Sequence, residues 1–126
     1  MASLYQQLTR SLAWIFTLYI IFACLSIFID PLSSADLYGI SLKSEPSDGL
    51  AFKYFQVMGG KSIAGGFTAL VFGLGRNYRS MGTMLLCYSV SGVVDTTVVG
   101  EVGIEGKAIF HGVGTVILGW VGWSLL

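Results

Sequence analysis

A run of nineteen residues without a charge, SLAWIFTLYIIFACLSIFI from Ser11 to Ile29, constrains this chain more than any other feature. As a helix it measures roughly 28 Å, the thickness of the hydrocarbon core of a bilayer. Asp30 and Pro31 close it. It exceeds the roughly 7–15 residues of a secretory signal core and no small-residue cleavage site follows, so it reads as a retained transmembrane helix.

Three further apolar runs follow. Tyr54 to Gly75 is interrupted only by Lys61, Ser80 to Gly100 carries Asp95, and Lys107 to Leu126 carries His111. The segment 30–53, with Asp36, Lys43, Glu45, Asp48 and two prolines, reads as an extramembrane loop. Its ADLYGISL portion is too short to decide whether it rests at the interface as an amphipathic piece. Charged residues make up 11 % of the chain against a hydrophobic share of 54 %, and mean hydropathy is +0.75. Soluble domains carry roughly 25 % charged residues, because water has to meet something polar. Connections of only a few residues force successive spans to lie antiparallel and adjacent. Unbroken apolar runs of this length do not alternate as barrel strands would. The expected fold is therefore all-α: a four-helix polytopic transmembrane bundle, with residues 1–126 forming one membrane domain whose solvent partner is the lipid bilayer.

The few charges orient it. Arg76 and Arg79 fall in the connection between spans two and three, and Arg10 precedes span one. Asp30, Asp36, Glu45, Asp48, Glu101 and Glu105 gather at the opposite ends. Basic residues in short loops stay cytoplasmic, so both termini are expected there and the 30–53 loop in the lumen, with the endoplasmic reticulum as the expected membrane. Seven basic and seven acidic side chains balance, leaving no positive field for nucleic acid.

Fifteen of the 17 glycines lie between Gly59 and Gly122. Lipid provides no hydrophobic drive between helices, so small residues that let backbones approach become the packing device. Gly65, Ala69 and Gly73, four residues apart, are expected to share one face of span two. Span one has no glycine in its apolar run, which suits a more lipid-exposed position. The missing side chains also leave room for a cavity that takes a lipid-soluble ligand. Cys24 and Cys87 sit in apolar runs and read as small buried hydrophobes rather than a disulfide or metal pair.

The ionisable residues within the spans converge in depth. At 1.5 Å per residue, Lys61 lies roughly 10 Å inside span two, Asp95 roughly 8 Å inside span three and His111 roughly 6 Å inside span four, all from the lumenal face. A charge at such depth costs several kcal/mol unless it pairs, snorkels or meets a wet cavity. Two readings stay open. Lys61 and Asp95 form a buried pair that fixes register, with His111 beside them. Alternatively, the three line a pocket in which Asp95 and His111 transfer protons and Lys61 orients a substrate. Ser62, Ser91, Thr96 and Thr115 add hydroxyls nearby. One histidine among scattered carboxylates lacks any metal-ligand spacing, and nothing calls for a cofactor. Neither cysteine reads as sharing the depth of His111, which disfavours nucleophilic catalysis.

Spans two to four resemble the DUF4267 family of small four-helix membrane proteins. The family pattern in its second helix is glycine–x–arginine–acid–x–x–x–glycine, matched here by Gly59, Lys61, Ser62 and Gly66. Lysine keeps the basic position and serine replaces the acid. The family's late third-helix aspartate corresponds to Asp95, preceded by Val94 rather than glycine, and its early fourth-helix histidine to His111. Fungal relatives look like accessory members of secondary-metabolite pathways. The resemblance therefore implies a membrane enzyme handling a terpenoid or polyketide intermediate. With the residues, it gives an isomerase- or cyclase-like activity using Asp95, His111 and Lys61. The alternative is a non-catalytic subunit or scaffold, as a homodimer or beside pathway enzymes, with the polar loop as its contact. A transporter fits less well, since no inverted repeat is present.

Overall fold

The computed structural model describes residues 3–40, 49–101 and 105–126, with the backbone alone at Glu105. The chain is all-α, with five helices among these residues: α1 (Leu4–Ile29), α2 (Pro31–Leu37), α3 (Gly49–Leu74), α4 (Tyr78–Glu101) and α5 (Glu105–Ser124). Three of them, α1, α3 and α4, are long and apolar enough to cross a membrane.

The helices outrun the apolar stretches because their ends are set by capping. Ser3 and Gln6 form a capping box at the start of α1: the Gln6 amide donates to Ser3 Oγ (3.2 Å) and the Ser3 amide to Gln6 Oε1 (3.0 Å). The helix therefore begins seven residues before Ser11. Asp30 ends α1 and starts α2, accepting from the Ser33 amide at 3.1 Å, with Pro31 at the first helical position. Part of the segment read as a loop is thus a helix. Of the rest, 41–48, with Lys43, Glu45, Pro46 and Asp48, lies outside the described residues. Gly39, at φ +80°, terminates α2, and the Ile40 amide reaches back to the Ala35 carbonyl at 2.8 Å. The α3–α4 turn uses the same geometry, but the left-handed residue is Arg76 (φ 56°) rather than the adjacent Gly75.

The four long helices run alternately up and down. At one end Tyr5 donates to Ser124 Oγ (2.8 Å) and the Arg10 guanidinium lies over the Tyr78 ring. At the other, α2 lies across the helix tops and Lys107 Nζ reaches the Leu37 carbonyl. The closest pair is α4 with α5. A Cβ built on Gly82 would fall 2.7 Å from the Gly122 carbonyl oxygen, and one on Gly122 would fall 2.7 Å from the Leu86 amide nitrogen.

The second close pair joins α3 to α1 through Gly59, Gly66 and Gly73, spaced by sevens against Ile27, Ile21 and Trp14. A period of seven keeps one face of a slightly supercoiled helix on its partner, whereas steps of four drift off it. The expected Gly65–Ala69–Gly73 face is accordingly split: Ala69 and Gly73 join the α1 side, while Gly65 meets the Tyr88 ring of α4. Nor is α1 the more lipid-exposed helix. It buries Thr9, Ala13, Thr17, Ile21, Cys24 and Ile27, and 28 % of its apolar window is covered against 22 % for α3 and α4. Small residues on α3 let the bulky side chains of α1 in, so the glycine need not lie on both partners.

The buried core comes in two parts. Ala13, Ala69, Met81, Leu85, Leu118 and Val121 fill the end near Arg10, and Ile27, Ala35 and Phe55 fill the end beneath α2. Between them the packing opens.

Candidate functional site

That opening is a cavity of about 440 Å³ bounded by α1, α4 and α5, with Ser62 from α3 and Tyr38 from the end of α2 completing it. It is left open where small residues line it: Gly114, whose added Cβ would meet nothing within 4 Å, with Ala23 and Ser91. Its lower part, toward the larger core cluster, is lined by Ile15, Phe16, Ile20 and Leu118. Its upper part is lined by Asp95, His111, Ser62, Cys24 and Tyr38.

His111 is held from above. Its ring stacks on Tyr38 with centroids 5.7 Å apart and 28° between planes, and Nε2 lies 3.3 Å from the Tyr38 carbonyl oxygen. A carbonyl only accepts, so Nε2 carries the proton in this contact. In the neutral ring, Nδ1 is then the basic nitrogen. Tyr38 is itself wedged by an edge-on contact with Phe55 (5.8 Å) and by Cys24 Sγ, 3.8 Å from its hydroxyl. Burial holds the Tyr38 phenol far above its ordinary range, so the hydroxyl stays protonated and can donate.

Asp95 lines the same cavity, half-buried. Among the described residues its carboxylate has no hydrogen-bond or ion-pair partner, and it is not among the buried polar groups sealed from their surroundings. It therefore faces the cavity space. Ser91 and Thr115, one turn from Asp95 and His111, also line the wall, while the Thr96 hydroxyl donates to the Gly92 carbonyl of its own helix at 2.7 Å.

Lys61 stands elsewhere. It is exposed on α3 and lines a second, smaller pocket of about 300 Å³ with Cys87, Met84 and Gly65. Tyr88, whose hydroxyl donates to the Ser62 carbonyl, stands between the two spaces and borders both. No Lys61–Asp95 ion pair forms among the described residues. The expected three-residue cluster thus divides into Asp95 with His111 in one cavity and Lys61 outside it.

Sequence reasoning missed Cys24 and Tyr38 as neighbours of His111. Six residues before Asp30, Cys24 lies roughly 9 Å below the helix end, close to the roughly 8 Å counted for Asp95, so the same count would have found it. Tyr38 was hidden by the loop assignment, although Asp-Pro at a helix start was a readable signal. Among the described residues, no three His, Cys, Asp or Glu side chains are grouped to hold a metal ion.

These features describe a multi-pass α-helical membrane protein with a polar-headed interior cavity. A family model described as a domain of unknown function, DUF4267, matches residues 17–125, and the chain belongs to that family. The match begins within α1, well before the Tyr54 start that the polar motifs alone suggested, so every helix bordering the cavity lies inside it, wholly or in part. Neither the curated proteins nor the solved structures contain a match.

Proposed function

We propose that the protein is a membrane-embedded isomerase- or cyclase-like enzyme acting by proton transfer on a hydrophobic terpenoid or polyketide intermediate. The observation that carries this reading is a carboxylate without a described partner and an oriented imidazole lining one largely apolar cavity. One of the two groups removes a proton from the substrate while the other, starting protonated, returns one at a second position, and a proton then passes between the two to restore both. Composition is conserved, and no external oxidant or reductant enters. Apolar walls exclude water, which strengthens both interactions and protects a carbanionic or cationic intermediate from capture. Lys61 makes no contact with substrate in this scheme.

The same reading takes α5 as a fourth span. It packs along α4 for its whole length and turns Ile109, Phe110, Val113 and Val116 outward. Arg10, Arg76 and Arg79 then mark the cytoplasmic face of an endoplasmic reticulum membrane, with both termini on that side. A scaffold role would rest on the polar loop, much of which lies outside the described residues, and gains no support from the cavity.

The test is conversion of candidate polyketide and terpenoid intermediates by membranes carrying the protein. Asp95→Asn and His111→Gln are each expected to lower the rate by roughly 10²–10⁴-fold at equal protein level. Unchanged conversion in both variants would remove the assignment.

A further inference from the structure

We infer that the cavity takes a ring-bearing amphiphile with a single uncharged oxygen function, admitted sideways from the bilayer between α1 and α5. The inference rests on the catalytic reading above for the presence of a substrate, and adds which molecule fits and by which route.

The route follows from where the bundle is closed. The α1–α5 seam is fastened at its lower end by Tyr5, which packs edge-on against Trp120 (6.1 Å) and hydrogen-bonds Ser124. Its upper end is fastened by α2, through Tyr38 on His111 and Lys107 on the Leu37 carbonyl. Between these clasps the residues that line the cavity are also exposed at the bundle surface: Ile15 and Tyr19 on α1, Phe110, Val113 and Ile117 on α5. A side chain that both lines an interior space and meets the outside marks a doorway. These five are apolar or aromatic, so the doorway faces lipid tails rather than water.

The shape follows from the dimensions. From Ile15 to Cys24 the wall runs nine residues, roughly 13 Å along α1. A volume of about 440 Å³ spread over that length gives a cross-section of roughly 34 Å². That is broader than one stretched alkyl chain fills, and suits a fused-ring or folded isoprenoid body. Polarity sets the direction: the ring body lies between Ile20 and Leu118, and the oxygen points toward Asp95 and His111 beneath Tyr38. The Asp95 carboxylate and His111 Nδ1 accept and the Tyr38 hydroxyl donates, which suits a hydroxyl or a ketone. A charged head would have to shed its water to pass a lipid-facing doorway, a cost that an uncharged oxygen largely avoids.

Gly114 supplies a clean probe. It lines the cavity, and a Cβ there meets nothing within 4 Å, so a large side chain enters empty space. Gly106 is equally open but lies outside the cavity. In phosphatidylcholine nanodiscs, a diazirine-bearing fused-ring ketone should label α1 and α5 saturably and be displaced by its unlabelled parent. Gly114→Phe should lower that labelling at least fivefold, and Gly106→Phe should leave it unchanged. A linear diazirine ketone of similar carbon number should show no saturable labelling.

Labelling that rises linearly with probe and spreads over every lipid-facing helix overturns the proposal, as does equal saturable labelling by the linear ketone. Displacement on the wild-type protein decides the matter even if Gly114→Phe folds poorly. Saturable ring binding with no conversion of any intermediate would defeat the catalytic reading alone. Conversion that survives a folded Gly114→Phe would defeat this one.

Discussion

Replacing Gly122 by alanine tests whether α4 and α5 are held by backbone contact. The added Cβ would sit 2.7 Å from the Leu86 amide nitrogen, 2.8 Å from the Gly82 carbonyl oxygen and 3.1 Å from Leu86 Cα. All three are backbone atoms that cannot rotate aside. Restoring ordinary contact at about 3.4 Å requires the helices to part by about 0.7 Å. A gap of that size forfeits roughly a quarter to a half of each pairwise dispersion well. The loss extends along the seam to Gly119 against Ser89. Overpacking of this kind costs about 1–3 kcal/mol, of which the better helix propensity of alanine returns about 0.8–1.0 kcal/mol. Gly114→Ala, two turns away on the same helix, has only the propensity gain, because its Cβ meets nothing. Unfolding by SDS titration in dodecyl maltoside micelles, followed by circular dichroism, should therefore move in opposite directions. Gly122→Ala should lose up to about 2 kcal/mol and Gly114→Ala gain up to about 1 kcal/mol. Shifts of the same sign and size would mean that the α4–α5 approach is not what holds this pair.

His111 is the only histidine, so one set of imidazole nitrogen resonances reports it. With Nε2 facing the Tyr38 carbonyl, the neutral ring should carry its proton on Nε2, and Tyr38→Phe should leave that unchanged because the carbonyl remains. A dominant Nδ1–H form would contradict the contact. The Asp30 carboxyl is held below its usual range by the Ser33 side chain and amide. Its capping of α2 is therefore complete above the unfolded aspartate pKa and fades as pH falls through the lower folded value. Fluorescence of a label at the end of α2 should show this acid-side loosening in the wild type, and Asp30→Asn, which caps without titrating, should abolish it.

Helices were legible in the sequence where composition decided them, and their ends where it did not were missed. The apolar run of α1 was plain, yet its first turns depend on Ser3 and Gln6, two polar residues that signal only through their spacing. In α2, seven residues are too few for hydrophobic periodicity to register, and the Asp30–Pro31 cap was the sole local cue. Gly75 looks like the residue to reverse the chain after α3, but Arg76 takes the left-handed conformation. Gly73, just before that reversal, is closed against Trp14 and Met81, a tertiary contact with no signature in the local sequence.

The site shows the same division in sharper form. Every residue on a helix has a height, which counting supplies, and an angle about the axis, which only the packed neighbours supply. Heights from the sequence put Lys61, Asp95 and His111 in one layer, and that layer is where the cavity's polar end lies. The angle separates them. Successive residues are turned by roughly 100° about a helix, so Ser62 lines the cavity while Lys61 does not. The same step distinguishes Gly66, closed against Ile21, from Gly65, closed against Tyr88. The heptad of small residues that seats α3 on α1 therefore also turns Lys61 away from Asp95. A carboxylate for which pairing with a lysine was one of two open readings is left facing the cavity instead.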